Sequence, residues 1–273
     1  MKTTALRTEF SIPVALLALS GGAVALPVAL LALCAGAVGA QETIIPDRPG
    51  LGFTTVTVPA GTVQIEAGIP AAVATDAGTD TRLINTPALL RVGILSSLEL
   101  RVGSTLFNRL RVAVAGATET TDGFGAVEVG AKLGFTTGES GPSLALIPSV
   151  LLPVDRKFSG DRPAYTLNGV ASWSLPSKLA LTTVAGLAVN PAGDDDHATS
   201  GAFVAVLGRS LAARAGGYIE AAWYPTQLQD AAYAGAGVTY LLSNSVQIDA
   251  FIDRGISVVA MDWLFGLGAA LRL

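Results

Sequence analysis

"VEVGAKLGF", residues 127–135, carries the pattern that decides the fold. Val127, Val129, Ala131, Leu133 and Phe135 alternate with Glu128, Gly130, Lys132 and Gly134. Strict alternation places the two sets on opposite faces of a β-strand. One face is apolar throughout. The other carries charges in mid-strand. The same design recurs outward from this stretch. Leu98, Leu100 and Val102 alternate with Glu99 and Arg101, and Ile219, Ala221 and Trp223 with Tyr218 and Glu220. Val246, Ile248, Ala250 and Ile252 alternate with Gln247, Asp249 and Asp253.

A soluble β-sandwich also alternates, so the period alone leaves two fold classes open. The number of strands with charged faces favours a wet lumen behind a lipid-facing wall. The connections agree. Short turns at residues 95–97, 138–141, 176–177, 209–210 and 243–244 take turns with longer or more polar connections. The latter fall at 76–80, 118–123, 155–161, 190–200, 225–230 and 253–255. Short periplasmic turns and longer outer loops are the asymmetry of an outer-membrane barrel. The reading is therefore all-β: an antiparallel up-and-down transmembrane β-barrel of about 12 strands. The expected strands are 62–74, 81–94, 97–113, 124–137, 142–154, 163–174, 178–190, 200–208, 212–224, 231–242, 245–253 and 257–273. An even number puts both termini on the periplasmic side.

The 273 residues are 51% hydrophobic and 14% charged, too apolar for a disordered chain. A net charge of -4 leaves no basic footprint for nucleic acid. Lys2 and Arg7 precede a run of small and apolar residues that closes on Val38-Gly39-Ala40. This predicts a cleaved signal peptide over 1–40, with a retained membrane anchor as the competing reading. Cleavage would remove Cys34, the one cysteine, and with it any disulfide. A periplasmic leader over 41–61 would follow, then the barrel over 62–273. Pro49 and Pro59 fix φ and remove two donors in that leader, so it resists joining the sheet.

Two constellations bear on chemistry. Asp194-Asp195-Asp196-His197 is the densest polar run. It lacks the glycine and glutamate spacing of a calcium loop, so it reads as a solvated outer loop and no metal site is assigned. His197, the single histidine, has no nucleophile motif beside it, so no catalytic residue is assigned. No phosphate loop, zinc spacing or dinucleotide fingerprint is present, and no cofactor is expected. The other constellation is the inward charge. Glu66, Arg91, Glu99, Arg101, Glu128, Lys132, Glu220, Asp249 and Asp253 are the pore-lining candidates. They either set a selective field across an open pore or pair with one another and fill a narrow barrel. Asp47 and Arg48 are candidates for a leader plug that pairs with them.

Asp47-Arg48-Pro49, Thr57-Val58-Pro59, Gly61, Gln64, Glu66 and Gly68 resemble the opening of a proteobacterial outer-membrane transporter family, named for the phenol-degradation meta pathway (MetA-pathway). "LLRVGILSSLELRVG", "AVEVGAKLGF", "LALIPSVLLPVD", "ASWSLPSKLAL" and "GVTYLLSNSVQID" follow in the order of that family. The resemblance runs from Ile44 to Leu273. It implies a signal peptide, the outer membrane of a Gram-negative bacterium, and a channel or transporter for small molecules, hydrophobic or aromatic ones among them. It implies as partners the membrane lipids, a small-molecule solute and the barrel-assembly machinery. Such barrels end on an aromatic residue, whereas this sequence ends Leu271-Arg272-Leu273. The alternative is a closed structural or interaction barrel with no transport.

Overall fold

The computed structural model describes residues 42–138, 141–193, 196–227 and 229–273. The expected signal peptide, Cys34 included, lies outside the described residues, as do Asp194 and Asp195 of the acidic run.

Strands β1 (Val63–Asp76), β2 (Thr79–Leu95), β3 (Leu98–Val114) and β4 (Ala117–Gly123) come first. Strands β5 (Val127–Thr136), β6 (Ser143–Leu152), β7 (Ala164–Leu175), β8 (Leu179–Ala192) and β9 (Asp196–Ser210) follow. Strands β10 (Ala215–Tyr224), β11 (Ala231–Ser243), β12 (Val246–Gly255) and β13 (Trp263–Arg272) complete the wall. A short helix, α1 (Arg156–Ser159), lies between β6 and β7. Every paired strand is antiparallel to its neighbour in chain order, and β1 pairs with β13 from Gln64↔Arg272 to Val73↔Trp263. This pair closes the sheet into a barrel; among the described residues only β4, which pairs with β3 alone, keeps a free edge.

The barrel has twelve staves although thirteen strands are present among the described residues. Both β4 and β5 pair with β3, β4 along Asn108–Val114 and β5 along Leu98–Ser104. They are two lengths of one stave. In the gap, the Gly125 amide donates to the Thr105 carbonyl at 2.7 Å.

Several connections are shorter than the sequence suggests. Residues 118–123, expected as a loop, form β4. The connection expected at 76–80 is the two-residue turn Ala77-Gly78, with φ of 46° and 82°. Ala115-Gly116 repeats it with φ of 50° and 86°. Positive φ at both central residues is the turn that matches hairpin twist. Strands β8 and β9 stay paired to Ala192↔Asp196, inside the expected 190–200 loop. One connection is longer: β12 runs through Gly255 and the strand expected from 257 begins only at Trp263, leaving 256–262 where 253–255 was expected. In β4, Thr, Glu, Asp and Ala occupy both faces, so alternation gives no signal there.

Within the hydrocarbon layer the two faces separate cleanly. Ile69, Leu100, Leu167, Leu187, Phe203, Ile219, Ile248 and Leu267 point outward and stay exposed. An exposed apolar belt around a closed barrel needs lipid to cover it. Trp223 stacks on Phe203 at 5.4 Å, and Trp263 carries the Arg254 guanidinium 5.1 Å above its ring. No helix among the described residues is long and apolar enough to cross a membrane. The strands do the crossing. The interior divides by depth. Toward the loop end it is apolar, with Leu83, Ile147, Val170, Val204, Tyr224, Tyr233 and Leu264 in one cluster. Toward the termini it is charged, and one charge, Asp253, reaches into the apolar part in register with Leu264.

Candidate lumen site

The charged half begins with arginines that one strand alone would not hold. Arg91 on β2 and Arg101 on β3 stand opposite each other in register, and alternation turns both inward. Arg91 forks onto Glu99, Nε to Oε1 at 2.8 Å and Nη2 to Oε2 at 2.8 Å. Its Nη1 reaches Glu66 at 2.7 Å. Arg101 Nη1 donates to Glu99 at 2.8 Å.

The leader completes the cluster. Asp47 enters between the cations, with Arg101 Nη1 on Oδ2 at 2.6 Å and Lys132 Nζ on Oδ1 at 2.6 Å. Thr54 donates its amide and its hydroxyl to Oδ1, each at 2.9 Å. The Asp47 amide donates to the Glu66 carboxylate at 3.1 Å. The Val58 amide donates to Glu99 at 2.7 Å, and the Val56 carbonyl accepts from Arg91 at 2.7 Å. Three cations and three carboxylates thus balance, each at most 8% exposed. Arg48 makes a second, separate pair with Asp249 on the far wall at 3.2 Å.

The wall is shaped to receive these groups. Gly68 and Gly268 face each other across the β1–β13 seam. A side-chain carbon on either would overlap the Arg48 guanidinium. Gly93 lies under the Val58 and Pro59 carbonyls, where a Cβ would collide with backbone. Glycine admits this approach because it carries no Cβ.

The nine sequence-predicted lumen residues do not form one ring. Glu66, Arg91, Glu99, Arg101 and Lys132 come together around Asp47. Glu128 stands apart and accepts from the Ser149 hydroxyl at 2.7 Å. Glu220, Asp249 and Asp253 line the wall formed by β10 and β12. Gln64, not among the nine, donates to Glu66 at 3.0 Å and is 1% exposed. Its place on the same polar face as Glu66 was the available signal. His197 lies exposed on the β8–β9 hairpin, in register with Pro191. No group of three or more His, Cys, Asp or Glu arranged to hold a metal is found among the described residues.

Between the leader and the opposite wall a cavity of about 420 Å³ remains. Small residues make the room: Ala180, Thr182, Gly208, Gly216 and Gly217 line it together with Arg48 and Phe53.

The fold is shared with solved outer-membrane barrels. An outer membrane channel from Pseudomonas putida F1 superposes with a TM-score of 0.62 at 15% identity, over 83% of this chain and 99% of that one. The NanC porin gives 0.52 at 10% identity, over 77% and 100%. The β-domain of the Bordetella autotransporter BrkA gives 0.51 at 14%, over 78% and 99%. No curated protein sequence matches the chain. The model of one family, described as "Putative MetA-pathway of phenol degradation", matches residues 46–273. The chain belongs to that family.

Proposed function

We propose that the protein is an outer-membrane channel for small molecules, partly plugged by its own leader. The observation that carries this reading is Asp47, seated by Lys132 and Arg101 at 2.6 Å inside the barrel, beside a cavity of about 420 Å³. The leader follows the signal peptide expected over residues 1–40 and enters from the end with the short turns. Its contacts to the wall are mainly hydrogen bonds and ion pairs rather than strand ladder. Such a segment can leave without opening the sheet.

The apolar outer half of the interior supports a solute with aromatic or aliphatic character. Tyr224, Tyr233, Phe251 and Leu264 give it surface to pack on. The family's link to phenol degradation points the same way. Pockets for such ligands are mostly apolar with a few placed polar groups.

A second reading is a sealed structural barrel, favoured by how completely the central charges pair. Single-channel conductance in a planar bilayer separates the two. The proposal expects a low conductance for the full mature chain and a larger one after deletion of residues 42–52. Equal conductance rejects the plug. Silence from both forms rejects the channel.

A further inference from the structure

Apart from Glu128, which is held by the Ser149 hydroxyl, the lumen charges pair off until two remain. Arg91, Arg101 and Lys132 are matched by Asp47, Glu66 and Glu99, and Arg48 is matched by Asp249. Glu220 and Asp253 have no cation on them among the described residues. They stand on β10 and β12, on either side of β11, and both are in register with Gly235. A Cβ at Gly235 would overlap Asp253 Oδ1, so its absence lets the two carboxyl groups meet above the sheet. They interact directly.

Both are removed from water. Asp253 is 0% exposed and Glu220 5%. Both Asp253 oxygens are buried without a hydrogen-bond donor, and the one donor beside Glu220 Oε1 is the Tyr218 hydroxyl. A Cβ built at Gly50 would lie 2.5 Å from Glu220 Oε1 and 2.8 Å from the Tyr218 hydroxyl, so these two oxygens sit together under the leader. The remaining Glu220 oxygen accepts from the Leu51 amide at 2.9 Å.

Two adjacent buried anions repel and have each lost hydration. A shared proton would cancel one charge and leave the other buried. A divalent cation cancels both charges and can engage oxygens of both carboxylates and of the tyrosine. Carboxylate, hydroxyl and water oxygens are the ligands that hard cations take. We propose that Glu220 and Asp253, with the Tyr218 hydroxyl, bind a divalent cation of the calcium class inside the lumen. Through Glu220 the ion also fastens the leader at Leu51 to the β10 wall.

Terbium titration of the full mature barrel, refolded in detergent, tests this. Terbium replaces calcium and is excited through a nearby tyrosine. The expected result is saturable sensitised emission from one ion per barrel, reversed by calcium. Glu220→Gln and Asp253→Asn should each weaken binding more than about tenfold, and Tyr218→Phe, which also loses the exciting tyrosine and is therefore read by titration calorimetry, by less. A D194N/D195N/D196N variant should keep it, which separates the lumen from the acidic hairpin. Far-UV circular dichroism reports whether each variant is folded. If a carboxylate variant does not fold, calcium-reversible emission in the hairpin variant and weaker calcium binding by titration calorimetry in Tyr218→Phe decide the matter. No saturable emission from the wild-type barrel overturns the site. So does emission that survives both carboxylate changes or disappears in the hairpin variant.

Discussion

Asp47 and Glu128 show how differently two carboxylates in one lumen are held. Asp47 takes hydrogen bonds from Thr54, Arg101 and Lys132 and is 8% exposed. Replacing it by Asn removes the charge that Arg101 and Lys132 were desolvated to meet. Breaking one side of a buried ion cluster costs about 3 kcal/mol or more. Glu128 takes its one hydrogen bond from the Ser149 hydroxyl and faces Arg101 without an ion pair, and losing one such bond costs about 1 kcal/mol. Urea unfolding in micelles should therefore show a clearly lower midpoint for Asp47→Asn and a small change for Glu128→Gln. Equal shifts would mean that the cluster is not the stronger anchor. At this scale the sequence was half legible. Alternation tells which face a side chain takes, so the inward carboxylates and cations could be picked out. It does not tell height along the strand or position around the barrel. That is why the nine residues separate into distinct groups, and why Gln64 and the glycines under the leader escaped a reading that weighed only charge.

The stave made of β4 and β5 breaks where a loop helix presses on it. Asp155 accepts from the Lys157 amide at 3.0 Å, capping α1, and from the Phe124 amide at 3.2 Å. A Cβ at Gly123 would lie 2.8 Å from the Phe158 ring and would overlap Asp155. The backbone N–H of Lys157 holds the Asp155 carboxyl below its usual range; partial burial opposes this, and the Phe124 N–H adds to it. A carboxyl with a depressed folded value stabilises above its unfolded value, and loses that contribution as pH falls through the folded one. Protection of the Phe124 and Lys157 amides, measured against the free-amide rate at each pH, should hold down to the ordinary aspartate value of about 3.9 and fall only below it. Asp155→Ala should give fast exchange at neutral pH. An unchanged rate in that variant would remove Asp155 from the account. The membrane-spanning lengths of these strands were legible because lipid demands an apolar face there. The ends were not. Past the bilayer both faces meet water, alternation fades, and β4 reads like a loop.

Across the whole molecule, the leader is what keeps the lumen's two walls apart. One wall carries Arg91, Arg101 and Lys132 with Glu66 and Glu99; the other carries Glu220, Asp249 and Asp253. Deleting residues 42–52 takes out Asp47 and Arg48 and lets water between them. The inward strand charges are then Arg91, Arg101 and Lys132, with Arg272 at the mouth, against six carboxylates, Glu128 included. Pore-lining charge of one sign selects ions of the other. The deletion variant should therefore prefer cations, read as the reversal potential across a potassium chloride gradient. A chelator keeps divalent ions from masking Glu220 and Asp253. Adding Glu220→Gln, Asp249→Asn and Asp253→Asn leaves four cations against three carboxylates, and the preference should weaken or invert. Because salt screens exposed charge within about 10 Å at 0.1 M, the selectivity should also fall as concentration rises. Anion preference in the deletion variant, or no response to the triple change, would mean that ions do not pass between these walls.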